Sequence, residues 1–264
     1  MCNDGIKSKE RVAQFGEVYT PENIVKDMLD LVKDESYRID STFLEPACGN
    51  GNFLVEILSR KLETAEKLDK QDYDKNVFIA VSSIYAIDIL EDNIQESKAR
   101  MLEIVKTKYK NYTGNEIEVA LIKSIVYILE RNILWGDGLT GLSEEPDRYH
   151  LDMIITEWKV VDGQVHISEQ TFNSLINQED QVQLMLDLGL ELDKPKEFVY
   201  DNIYVVGKDI SLERIEELKV WCTRYIEVFG DAKEEEKEQE DVQEKKEEVK
   251  KPAPKKKSKA VVAW

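Results

Sequence analysis

The chain has 264 residues, 42% of them apolar, and carries a formal net charge of −18. That length suits one α/β domain with a tail, and the apolar share is enough for a sizeable core, whereas the acidic balance counts against tight, autonomous binding to a phosphate backbone. His150 and His166 are the only histidines and Cys2, Cys48 and Cys222 lack metal-ligand spacing, which argues against a metal site or a histidine-based triad and suits a reducing compartment.

From the N-terminus, Met1 to Arg11 reads as a loose polar segment. Gly16-Glu17-Val18-Tyr19-Thr20-Pro21 then leads into a helical pattern of Ile24, Val25, Met28, Leu29, Leu31 and Val32, with Thr20 placed as N-cap and Pro21 in the first turn. Phe43 to Phe53 reads as an apolar strand ending at Glu45, a tight turn through Gly49 and Gly51, and a helix start. Glycines there let the backbone approach a ligand and aim amides at it from a helix N-terminus. A helix follows from Phe53 to Leu68, then a polar break, then one or two apolar elements over Val77 to Ile89 that finish as a buried strand with Asp88 near its end.

Helices are expected over Ile94 to Tyr109 and Ile117 to Leu129, followed by a strand end at Asp137 and a short buried strand over Leu151 to Thr156. A further helix is expected over Phe172 to Leu190, a strand or hairpin over Phe198 to Val206, and a last helix over Leu212 to Phe229. This alternation predicts an α/β fold with a mostly parallel sheet flanked by helices, its ligand at the carboxyl ends of the strands. Glu45, Asp88 and Asp137 would meet there. No apolar run is long enough for a membrane span or a leader, so a cytoplasmic protein is expected. From Asp231 onward there are ten acidic and ten basic residues, so residues 1–230 form the expected domain and hold the whole charge excess, with 231–264 a disordered charged tail. The basic cluster Lys250 to Lys259 within it reads as solvated in preference to nucleic-acid binding.

The order of these signals resembles the adenine-specific DNA methyltransferases of restriction-modification systems. The resemblance spans Gln14 to Ile155 and rests on Gly16 to Pro21 and on Leu44-Glu45-Pro46-Ala47-Cys48-Gly49-Asn50-Gly51-Asn52-Phe53. It implies a Rossmann-like fold and S-adenosylmethionine as cofactor. On that resemblance Tyr19, Thr20 and Pro21 approach the methionine part, Glu45, Pro46, Ala47, Cys48, Gly49, Gly51 and Phe53 form the cofactor loop, and Asp88 binds the ribose hydroxyls with Ile89 beside the base. Asp137, with Gly138 and Leu139, would accept from the adenine amino group. The chemistry agrees independently: such a ligand needs acids for an ammonium and a diol, amides for a carboxylate, and an apolar floor for a base. A dinucleotide would need a pyrophosphate cradle that the chain lacks.

The chain departs from the family where an Asn/Asp-Pro-Pro-Tyr/Phe motif should follow the fourth strand. Here the strand runs into Thr156-Glu157-Trp158-Lys159, and no Pro-Pro occurs. Thr156, Glu157 and Trp158 are the candidate replacements, with Trp158 stacking on a flipped base and Glu157 accepting from the target amine. The alternative is that Glu157 and Trp158 merely end a strand. About seventy residues separate Lys159 from the tail, too few for a target-recognition domain. The expected partners are therefore DNA, bound weakly by this chain alone, and a specificity or restriction subunit. Three functions share this frame: an adenine methyltransferase, a catalytically impaired binding or regulatory subunit, and a methyltransferase acting on a protein or small molecule.

Overall fold

The computed structural model describes residues 7–176 and 195–225. Among the described residues, those up to Cys222 form one compact body and 223–225 fall to a second unit. The expected charged tail lies outside the described residues, as does the expected helix beyond 176.

The body opens with helices α1 (Lys9–Phe15), α2 (Glu22–Asp30) and α3 (Lys33–Tyr37). Strand β1 (Phe43–Glu45) then leads through the glycine turn to α4 (Asn52–Ala65), α5 (Tyr73–Ser82) and β2 (Ile84–Asp88). Next come α6 (Glu91–Thr113), α7 (Val119–Asn132), β3 (Ile133–Asp137) and the two-residue β4 (Leu142–Ser143). The pairing β1-β2-β3 is parallel throughout, and β4 closes on β3 in the antiparallel sense.

β2 is the centre of this sheet because its sequence has no exposed face: all five residues are buried. Alternation splits them between two apolar clusters. Ile84 and Ala86 join the main core with Leu54, Leu58 and Leu62 of α4, Val77 and Phe78 of α5, and Leu121, Ile125 and Leu129 of α7. Tyr85 and Ile87 face the other way, onto Met153, Ile155 and Phe172. α4 carries its buried Leu54, Ile57, Leu58, Leu62 and Ala65 at helical spacing, as an amphipathic helix on a sheet should. α6 has Glu91 and Asp92 in its first turn, where the helix dipole favours acids, and stops at Gly114 in the left-handed conformation.

The strand expected to end at Thr156 does not end there. It continues as β5 (Ile154–Val161), turns at Asp162-Gly163, and returns as β6 (Gln164–Thr171), after which come α8 (Phe172–Ile176) and β7 (Lys196–Tyr200). Both turn residues have positive φ, 50° and 83°, the geometry that matches the twist of a two-residue hairpin. β5, β6 and β7 make a separate antiparallel sheet, so β5 does not extend the parallel one. Residues 196–200 pair in that second sheet, and the chain then turns from 201 onward, which shortens the strand expected over Phe198 to Val206. A last helix, α9 (residues 212–225), contributes Ile215 and Leu218 to the main core.

Candidate functional site

The three parallel strands end side by side, and a cavity of about 580 Å³ opens at their carboxyl ends. Its walls are the turn after β1 (Pro46, Ala47, Gly49), the end of β2 with its following residues (Asp88, Ile89, Leu90), the end of β3 (Gly136 to Leu139), and the segment Phe15 to Tyr19. The volume falls within the range of roughly 300–1,000 Å³ common for small-ligand sites.

Local sequence explains how these walls are set. Gly51 caps α4 at φ 87°, and a β-carbon there would lie 2.8 Å from the Ser97 hydroxyl of α6. Only glycine allows both the turn and that approach. Gly138 serves a different need: an added β-carbon would sit 2.4 Å from the Pro46 carbonyl oxygen, so the β1 and β3 loops touch backbone to backbone.

Asp88 is the hub. Its Oδ2 accepts from the Gly49 amide at 2.8 Å, and its Oδ1 accepts from the Leu90 amide at 2.9 Å and from Asn93 Nδ2 at 3.2 Å. Burial raises its carboxyl above the ordinary range, and these three donors only partly offset that effect. Glu45, beside the cavity at the end of β1, is also raised by burial, against one hydrogen bond from the Ala47 amide. Glu17 goes the other way. Burial pulls it up, but hydrogen bonds from Arg11, Asn93 and Tyr19 outweigh the penalty and leave it below the usual carboxylate range. Asp137 folds its own loop, its Oδ1 accepting from the Leu139 amide at 2.8 Å.

Of the residues expected from sequence, Tyr19, Pro46, Ala47, Gly49, Asp88, Ile89, Asp137, Gly138 and Leu139 all line this one cavity. Thr20, Pro21, Glu45, Cys48, Gly51 and Phe53 are not among the residues that line it. Thr20 has a structural task, its carbonyl accepting from Asn52 Nδ2 at 2.9 Å, which ties the segment before α2 to the start of α4. Thr20 also does not cap α2, whose N-cap is Pro21 without a side-chain hydrogen bond.

The glycine loop corrects a second expectation. The Gly49 amide is committed to Asp88 and the Gly51 amide to the Cys48 carbonyl at 2.9 Å, so neither is left for a ligand carboxylate. Cys48 is buried and its thiol is pushed up by desolvation, with no sign of an activated nucleophile.

Thr156, Glu157 and Trp158 are not brought to the cavity. Because β5 continues past Ile155, they alternate across a strand in place of forming a loop at its end. Thr156 is buried and borders a smaller cavity of about 190 Å³ with Arg131 and Met153, while Glu157 faces outward near Lys159 and His166. Trp158 points into the main core. Its ring meets Phe78 and Tyr127 edge-on, each at 6.1 Å between centroids, and its Nε1 donates to Asn132 Oδ1 at 2.9 Å. Asn132 in turn donates to the carbonyls of Ser82 and Ile84, so Trp158 joins the second sheet to the end of α5 and the start of β2. Replacing Trp158 by Ala should therefore lower stability by about 2–4 kcal/mol and leave ligand affinity at the main cavity within about twofold. Thermal unfolding beside a binding titration checks this; a large affinity loss with unchanged stability would return Trp158 to the site.

Sequence reading missed Phe15, Leu90, Asn93 and Gly136 as lining residues, and did not assign Gly16, Glu17 and Val18 beyond their place in the motif. Asn93 carries no local signal, since its partners Glu17 and Asp88 reach it only through the fold.

Residues 7–105 match the family model for N-6 DNA Methylase. That match takes in the segment before α2, the glycine loop and Asp88, and stops short of Asp137. The Type II methyltransferase M.VspI of Vibrio sp. (strain 343) is 32% identical over 140 residues, which is 52% of this chain and 28% of that relative. The chain thus spans less than a third of the relative's length. No solved structure matches the chain. No helix among the described residues is long and apolar enough to cross a membrane, and no group of metal-ligating side chains occurs among them. Over residues 7–105, this chain is similar to the N-6 DNA methylases.

Proposed function

We propose that the chain binds S-adenosylmethionine in the cavity at the ends of β1, β2 and β3, on a Rossmann-like methyltransferase fold, and serves methyl transfer to the exocyclic amino group of adenine in DNA. The observation that carries this reading is the convergence of Tyr19, Asp88, Asp137 and the Pro46–Gly49 turn on one cavity, most of it inside the matched segment.

The residues present fit the ligand. Asp88 has accepted three hydrogen bonds and retains acceptor capacity for a hydroxyl, because a carboxylate offers about four lone-pair sites. Glu17, Glu45, Asp88 and Asp137 give the cavity and its surround an acidic character that suits a cationic sulfonium and ammonium. Ile89, Leu90 and Leu139 supply apolar surface for a base, and Ile89 and Leu139 are otherwise left exposed on the body. S-adenosylmethionine, when bound, supplies a methyl group already activated by its sulfonium. The chain's own contribution is then to orient and to exclude water.

One observation favours a second reading, in which this chain holds the cofactor and another subunit completes the transfer site. Thr156 to Trp158 are folded away from the cavity, and no Asn-Pro-Pro sequence replaces them. On either reading DNA is the substrate class, and the acidic body calls for a specificity or restriction partner to hold it.

The test is transfer of tritiated methyl from S-adenosylmethionine to unmethylated DNA. Label in adenine with this chain alone supports the first reading. Label only when a partner subunit is added supports the second. Label appearing on protein, with DNA left unlabelled under both conditions, would overturn the DNA assignment.

A further inference from the structure

α1 is seated on the body in an unusual way. It buries no side chain, and it is bounded by the Ser8 cap, whose Oγ accepts from the Arg11 amide, and by Gly16 at φ 67°. Its seat is built from two cations. Lys7 Nζ donates to Asp92 Oδ2 at 3.0 Å and to Asn93 Oδ1 at 2.9 Å, and pairs with Glu96 at 2.7 Å. The Arg11 guanidinium bridges Glu17 and Asp92, its two terminal nitrogens 2.6 Å from Glu17 Oε1 and Asp92 Oδ2 respectively.

That latch reaches the ligand cavity by two routes. Along the chain, α1 delivers Phe15 to the cavity wall, where the ring is half exposed. Through side chains, Glu17 Oε1 accepts from Asn93 Nδ2 at 2.8 Å, and the same nitrogen donates to Asp88 Oδ1. Arg11 is therefore linked to Asp88 through Glu17 and Asn93. A helix held mainly by ion pairs, with no side chain fully buried, is cheap to lift, and the aromatic ring at its end is half exposed.

We propose that Phe15 is a further ligand-contacting residue, carried on a strap, α1, that Lys7 and Arg11 latch to Glu17, Asp92 and Glu96. The ring covers a flat, apolar part of the ligand, and Arg11 is a positioning residue that acts through Glu17 and Asn93. Filling the cavity and seating the strap are then coupled: each favours the other, as linkage requires. This rests on the assignment of the cavity to S-adenosylmethionine.

The test uses the full chain, with amide hydrogen exchange over Val12 to Gly16 and calorimetric titration of S-adenosylmethionine, on wild type, Phe15→Ala and Arg11→Gln. Saturating ligand should slow exchange at these amides about tenfold in wild type and clearly less in Arg11→Gln. Phe15→Ala should weaken binding about tenfold without moving the unfolding midpoint. Raising sodium chloride to 0.5 M without ligand should speed exchange there in wild type and less so in Arg11→Gln, where only the Lys7 pairs remain to be screened. Phe15→Ala binding as wild type, or exchange unmoved by ligand, overturns the contact. Should wild type bind no S-adenosylmethionine, the cavity assignment and the Phe15 contact both fall. The ligand-free salt experiment still judges the latch, and insensitivity to salt overturns it.

Discussion

On the proposed cofactor assignment, replacing Asp88 by Ala should weaken S-adenosylmethionine binding by roughly 30- to 1,000-fold, the equivalent of about 2–4 kcal/mol for losing charge-assisted hydrogen bonds in a buried site. Two losses add together. The ligand loses an acceptor, and the end of β2 loses its tie to the glycine loop, since Asp88 receives the Gly49 and Leu90 amides and shares Asn93 Nδ2 with Glu17. Asp88→Asn should be nearly as harmful. Its amide group must set an N–H donor against one of the donors that now converge on the carboxylate. Thermal unfolding separates the two losses: the stability cost should stay at about 1–3 kcal/mol. Wild-type affinity in Asp88→Ala would remove Asp88 from the site.

A large effect on stability also belongs to Lys61, on α4. It is fully buried, and five oxygens lie within hydrogen-bond reach of its Nζ, the carbonyls of Arg38, Ile39 and Ser41 and the hydroxyls of Ser41 and Ser83, among which its N–H groups are shared. Those oxygens belong to the turn that enters β1 and to the residue that enters β2. The register of the parallel pair, in which the Phe43 amide donates to the Ser83 carbonyl, is set beside this one side chain. Lys61→Met keeps the length and removes the donor: the Arg38 and Ile39 carbonyls keep the Ser41 and Ser83 hydroxyls, while the Ser41 carbonyl loses the Lys61 donor. A loss of about 2–4 kcal/mol is expected, or a midpoint lower by roughly 5–15 °C. Burial pushes the Lys61 ammonium down to about 7, below its usual value near 10.4 in an unfolded chain. Between these values the unfolded chain binds a proton that the native one does not, so stability should rise with pH from about 7 to 9. Lys61→Met should flatten that rise. Parallel pH profiles for the two proteins would show that Lys61 does not titrate in this window.

Much of the cavity's lining was legible in the sequence because it is local. An apolar run ending in an acid, followed by Gly49 and Gly51 and an amphipathic helix, specifies β1, its turn and α4 without reference to anything distant. The same logic places Asp88 and Asp137 at strand ends, and a parallel sheet then brings them together. The misreading at Thr156 came from a signal that was present: Asp162-Gly163 between alternating residues is a hairpin turn, so β5 had to run on to meet it. Once it does, Trp158 is turned into the core by strand alternation.

Other features had no local signal. Lys61 sits in an amphipathic helix, where a lysine normally reads as surface. Arg11, Glu17 and Asn93 look like ordinary polar residues until the fold brings α1 against α6, 81 positions away in sequence between Arg11 and Asp92. The internal use of the Gly49 and Gly51 amides likewise depends on Asp88 and Cys48 being where the folded loop puts them.

The central claim is that the cavity at the ends of β1, β2 and β3 holds S-adenosylmethionine. Calorimetric titration of the cofactor into the full chain tests it most directly. The account predicts saturable one-to-one binding, carried through in Trp158→Ala and largely lost in Asp88→Ala. Absence of saturable binding by folded wild-type protein, or binding indifferent to Asp88, would contradict it.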